Sequence, residues 1–132
     1  MDFENQIAPF SYMEHDDGQA SVILYTSEKF KRKLFKKRKG FTGSGYDWES
    51  LAQVFVHERI PDLEQWIDFD SERLAFVAYS SNPNALKQFI VAFKEACEND
   101  ELITDLFSRT PAEEPITAAD MKSVVDKIMG GN

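Results

Sequence analysis

"FTGSGYDWESLAQVF", residues 41–55, sets Gly43 and Gly45 directly ahead of a helical pattern. Trp48, Leu51, Ala52, Phe55 and Val56 recur at i, i+3, i+4, i+7 and i+8, which is one helix face turned to a core. Glycine loops at helix starts cradle phosphate when the rest of their motif is present. Here Trp48 stands at the third glycine of a dinucleotide fingerprint, and Tyr46 follows where a P-loop needs lysine. The preceding "KKRKGF" is a charged run rather than a strand, and Asp47 puts a negative charge where phosphate would sit. The stretch therefore reads as a structural loop. Gly43 and Gly45 supply unusual backbone angles, Asp47 is the N-cap, and Glu49 lies in the first turn. Trp48 plugs into the core, Tyr46 is presented to a partner, and Pro61 stops the helix.

Working outward, residues 6–26 read as a β-hairpin: "IAPFSYM" and "ASVILYT" are rich in β-branched and aromatic residues and flank an Asp17-Gly18 turn. Pro9 cannot donate to a ladder, so the first strand is expected at a sheet edge. Ser27 to Lys39 reads as a short basic helix, capped by Ser27, with Phe30, Leu34 and Phe35 as its narrow apolar stripe and Gly40 at its end. Residues 64–80 read as a second hairpin, "EQWIDF" and "RLAFVAYS", around a turn at Asp70-Ser71-Glu72. Its second strand is apolar on both faces, which predicts a central strand covered on both sides. Asn82-Pro83 opens the main core helix, buried through Leu86, Phe89, Ile90, Phe93 and Cys97. A short helix follows at "DELITDLF", then a linker at 109–116 and a last helix at 117–129 lined by Met121, Val124, Val125 and Ile128. The order ββααββαα predicts an α+β fold: a mostly antiparallel sheet from two β-hairpins with helices packed on it, in one domain spanning 1–132.

Composition narrows the class. With 132 residues, 42% hydrophobic and 11 Phe among them, the chain can build an aromatic core without staples. Cys97 is the only cysteine, which excludes an internal disulfide and fits a reducing compartment. The start "MDFENQIAPF" lacks the features of a secretory signal. The longest apolar run, "LAFVAY" at 74–79, is far short of the roughly 20 residues a membrane span needs. The expectation is a cytoplasmic protein, monomer or homodimer, without membrane contact. Charge is uneven: Ser27–Lys39 carries +7, so the net of −8 leaves −15 on the remainder. An acidic body of that kind steers cationic partners and repels nucleic acid.

Catalytic chemistry finds little support. His15 and His57 are the only histidines, and "HDD" at 15–17 has no second ligand cluster to make a metal site. Cys97 sits on an apolar helix face, as a small core residue does. Ser44 lies in Gly-Ser-Gly, not in a nucleophile elbow. No enzyme activity, cofactor or metal is expected. The basic run could bind nucleic acid or an anionic surface, which is the alternative function; its bland reading is a solvated helix offsetting the acidic body.

"GSGYDWESLAQVF" at 43–55, "FDSE" at 69–72 and "FVAYSSN" at 76–82 together resemble the immunity-protein-51 type of bacterial polymorphic toxin systems. The resemblance spans roughly residues 20–108, with the lysine-rich run and the tail after Arg109 standing apart from its motifs. It implies an antidote that binds a cognate toxin domain, such as a nuclease, and blocks it without chemistry of its own. An acidic surface suits a basic toxin cleft. The candidate contacts are the acids Asp16, Asp17, Asp68, Asp70 and Glu72, with Tyr46 and Trp66 as aromatic anchors.

Overall fold

Ala20, Val22 and Leu24 are buried while Ser21, Ile23 and Tyr25 between them are half-buried or exposed. That period of two places a strand with one face on a core. The computed structural model describes residues 2–112. The elements are α1 (Phe3–Ile7), β1 (Ser11–Glu14), β2 (Ala20–Tyr25), α2 (Arg32–Lys36), α3 (Gly45–Arg59), β3 (Asp68–Phe69), β4 (Ala75–Ser80), α4 (Pro83–Glu98) and α5 (Asp100–Ser108). The strands form one antiparallel sheet in the order β1-β2-β4-β3, and the fold is α+β. The helix expected at 117–129 and the second half of the 109–116 linker lie outside the described residues.

Several expectations need correction. The first strand begins at Ser11 rather than near residue 6, because Asp2 caps α1 (Glu4 N to Asp2 Oδ1, 3.0 Å) and a turn then closes from Phe10 N to Ile7 O at 2.9 Å. β1 does lie at the sheet edge. The basic segment is not one helix. A 3-10 turn at Thr26–Glu28 and the five-residue α2 are separated by Lys29 and Lys31, both left-handed at φ 58° and 54°. A continuous helix would stack Lys29 on Lys33, and like charges at i, i+4 oppose it. "EQWI" is not strand either. Pro61 opens a 3-10 turn over Pro61–Trp66, leaving β3 only two residues.

The second hairpin also turns later than expected. Glu72 and Ala75 bond each other in both directions (2.8 and 3.2 Å), so the two-residue turn is Arg73-Leu74. Ser71 diverts the ladder just before it: its N–H donates to Glu49 Oε1 (3.1 Å), and its hydroxyl accepts from Val77 N–H (3.0 Å). β4 is central as predicted, but among the described residues it is covered on one side only. Phe76, Ala78 and Ser80 are buried beneath the helices, while Ala75, Val77 and Tyr79 face outward.

The core is one aromatic cluster with Trp48 at its centre. Its ring stacks on Phe30 (5.8 Å, 6°) and meets Phe35 at 4.9 Å, Phe10 at 5.8 Å, Phe93 at 6.0 Å and Phe76 at 6.5 Å. It therefore ties α3 to the loop before β1, the basic segment, β4 and α4. Arg38, for all its charge, is also structural: its Nη1 donates to Phe107 O and to Thr110 O, and the guanidinium lies over the Phe41 and Phe107 rings.

Arg109 clamps the far end. It bonds Glu58 on α3 through two nitrogens (2.6 and 2.9 Å) and Asp105 on α5 through two (2.9 Å each). These bonds hold the Glu58 and Asp105 carboxyls below the ordinary carboxylate range. A lowered carboxylate contributes stability above its unfolded value, and the contribution is lost as pH falls through the folded value. Arg109→Ala is therefore expected to lower the thermal midpoint at pH 7, and the gap to the wild type should begin to narrow below about pH 4 and close only once pH has fallen through the lowered Glu58 and Asp105 values. A gap that stays constant from pH 7 to pH 3 would show that the clamp acts by packing alone.

Candidate partner-binding surface

The glycine loop holds an anion, and the anion is the protein's own. Asp47, buried in the first turn of α3, turns one oxygen, Oδ2, back on the loop. That oxygen accepts from Thr42 N (2.7 Å), Gly43 N (2.9 Å), Ser44 N (3.3 Å) and the Thr42 hydroxyl (3.4 Å). Convergent backbone N–H groups of this kind are what phosphate loops offer. Here the carboxylate takes the phosphate's place. Ser44, not Asp47, is the N-cap: its hydroxyl accepts from Asp47 N at 3.1 Å, and the two residues form a reciprocal capping box. Gly43 is left-handed (φ 82°), as a tight loop requires. Gly45 is needed for another reason. Its N–H donates to Arg73 O at 2.8 Å, and a Cβ there would lie 1.9 Å from Glu72 O. The loop thus pins α3 against the β3–β4 turn.

That junction organises the acids. Asp68 pairs with Tyr79, Asp70 N–H donates to Val77 O (3.0 Å), and Glu72 bridges Ala75. One register runs through all three pairs. Asp68, Asp70 and Glu72 therefore share a face of the sheet with Tyr79, Val77 and Ala75, and all three acids are exposed. Asp16 and Asp17 are exposed in the β1–β2 turn, at the same end of the sheet as Asp68; Asp17 Oδ1 accepts from Gln19 N at 3.0 Å. Trp66 precedes β3 at that end, whereas Tyr46 stands at the opposite end beside the β3–β4 turn; both are about 40% exposed. The fold lines Asp68, Asp70 and Glu72 along the β3 edge, sets Asp16, Asp17 and Trp66 at one end of the sheet, and places Tyr46 at the other end, beside Glu72.

The sequence reading missed Met13, Tyr25, Leu74 and Tyr79, which are exposed at 62, 56, 69 and 36%. Strand parity could have found three of them, since the outward positions of β1, β2 and β4 carry Met13, Tyr25 and Tyr79; Leu74, in the turn, has the parity of the buried Phe76 and Ala78. Treating β4 as covered on both sides concealed Tyr79.

The nucleophile and metal candidates are not assembled into a site. Cys97 is fully buried, and burial pushes its thiol well up, out of the thiolate range. His15 Nε2 lies 2.8 Å from Ser21 Oγ, and His57 Nδ1 lies 3.3 Å from Glu64. Among the described residues no group of three His, Cys, Asp or Glu side chains is spaced to hold a metal, and no helix is long and apolar enough to cross a membrane. Lys29, Lys31, Arg32, Lys33, Lys36 and Lys37 line a groove of about 630 Å³ together with Leu34 and Ile103. One carboxylate reaches it, Asp100, 3.5 Å from Lys31.

A family model described as immunity protein 51 matches residues 10–112. No curated protein and no solved structure matches the chain. The matched span takes in the basic segment as well as the Gly-Ser-Gly loop, both hairpins and the two core helices, and on that match the chain belongs to the immunity protein 51 family.

Proposed function

We propose that this protein is a cytoplasmic antidote of a bacterial polymorphic toxin system. As one domain it binds a cognate toxin domain and blocks it sterically and electrostatically, without catalysis. The observation that carries this reading is the line of Asp68, Asp70 and Glu72 along one sheet edge, exposed and of one parity, in a body whose charge outside the basic segment is −15 with a net of −8. A toxin with a basic cleft, such as a nuclease, meets that edge with complementary charge, which speeds encounter and rejects acidic partners. Asp16, Asp17 and Trp66 extend the contact at one end, and Tyr46 reaches it from the other.

The test is co-expression with the toxin domain encoded immediately upstream, followed by affinity measurement. The wild type is expected to rescue growth and form a stable complex. The triple reversal Asp68→Lys, Asp70→Lys, Glu72→Lys is expected to weaken binding at least about ten-fold at low salt, chiefly through the association rate. Its thermal midpoint should stay near the wild type's. Unaltered affinity would remove these acids from the interface.

A second reading rests on the basic groove, whose six cations could hold a nucleic acid or another anionic surface. It ranks lower because the acidic body opposes phosphate and Arg38 of the same segment is committed to the fold. Titrating the same preparation with duplex DNA at low salt separates the two readings, since phosphate binding falls steeply as salt rises.

A further inference from the structure

We infer that the outward face of the sheet is the apolar centre of the toxin-binding surface, with Asp68, Asp70 and Glu72 as its charged border. The inference rests on the antidote reading and adds to it the part of the interface that excludes water.

Among the described residues, helices pack on one face of the sheet only. On the other, the register lines up Met13, Ser21, Tyr79 and Asp68 in one row, and Ser11, Ile23, Val77 and Asp70 in the next. Ile23 and Val77 are half-buried at the centre, and Tyr25 and Ala75 continue the face toward Glu72. Six large apolar side chains are exposed among the described residues. Three of them, Met13, Tyr25 and Tyr79, stand on this face, and Leu74 sits in the turn that ends it. Soluble proteins scatter such residues singly; a contiguous patch marks a contact surface. With four, six and six residues in β1, β2 and β4, at about 3.4 Å per residue and about 4.8 Å spacing, the apolar centre covers roughly 260 Å². That is about a third of the roughly 800 Å² that one partner contributes to a standard interface, leaving the remainder to a polar rim.

Charge identifies the occupant. The outward positions of the four strands carry carboxylates at the β3 edge and no lysine or arginine. Two copies laid face to face with their β3 edges apposed would bring carboxylates together, and such juxtaposition is disfavoured. A toxin domain whose apolar patch is bordered by Lys or Arg satisfies both the centre and the border. Tyr79 and Tyr25 are the anchors, being large and rigid with a polar tip.

The experiment measures dissociation constants of the full-length wild type, Tyr79→Ala, Tyr25→Ala and Tyr79→Phe against the upstream-encoded toxin domain. Each alanine variant is expected to bind at least about ten-fold more weakly, mainly through faster dissociation, while Tyr79→Phe stays within about three-fold. Thermal midpoints check folding, and Tyr25→Ala, at the exposed strand end, carries the test if Tyr79→Ala does not fold. Wild-type binding that both alanine variants leave intact overturns this inference and spares the antidote reading. No binding by the wild type overturns both. A wild-type dimer in sedimentation that Tyr79→Ala converts to monomer makes a second copy the occupant and also overturns it.

Discussion

Gly45→Ala is expected to destabilise the protein by about 4 kcal/mol or more, a size reserved for a few specific faults. Helix propensity alone predicts the opposite sign, because alanine is favoured over glycine in a helix by about 1 kcal/mol. Sterics decide the outcome. The added methyl would lie 1.9 Å from Glu72 O and 2.3 Å from Ala75 O. Both carbonyls are fixed by the reciprocal bonds that close the Arg73-Leu74 turn. Relief requires α3 and the hairpin to part, which breaks the Gly45 N–Arg73 O bond and withdraws Trp48 from its neighbours. Gly18→Ala is the control: Gly18 is left-handed (φ 85°), yet a Cβ there meets nothing within 4 Å, so its cost should be only about 1–2 kcal/mol. Urea unfolding of the two variants measures the difference. Equal midpoints would mean that helix and hairpin do not approach as closely as the carbonyl distances require.

The helix pattern of residues 45–59 and that of residues 83–98 were legible because long apolar periodicity is written in the side chains themselves. The Asp17-Gly18 turn was legible for its own local reason. What failed was decided by tertiary contacts. The second turn moved to Arg73-Leu74 because Ser71 is captured by Glu49, a residue 22 positions away. The N-cap shifted to Ser44 because Asp47 was drawn into the loop's N–H groups, a role that needs three backbone donors to converge. The basic helix broke because Phe30 stacks on Trp48 while the surrounding lysines repel one another. Of the candidate site, the acids were visible as charge, but their common face depended on a register that sequence did not give. The aromatic outward face was hidden by a sound rule wrongly applied. Continuous apolarity often means a strand buried twice; in β4 it means one face for the core and one that no described element covers.

Trp48→Ala should cost about 3–5 kcal/mol, the range for removing a large buried aromatic. At about 3 °C per kcal/mol for a chain of this size, the thermal midpoint should fall by about 10 °C or more. The effect should not stay local. Trp48 is 2% exposed and meets rings from four separate segments besides its own. Its neighbours Phe30 and Phe35 are the points at which the basic segment grips the core, so the cavity opens beneath that segment first. Hydrogen exchange should accordingly rise across residues 30–36 in Trp48→Ala, while β2 and β4, paired along their whole length, keep their protection. Trp48→Phe retains most of the ring contacts and should recover over half of the loss. Uniform acceleration of exchange across sheet and basic segment alike would mean that Trp48 supports the fold as a whole and does not tie this segment in particular. In that case the basic groove should survive or vanish with the sheet. If the segment loosens alone, the acidic edge can be tested for toxin binding in a protein whose basic flank has been released, which separates the two charged surfaces without changing a single charge.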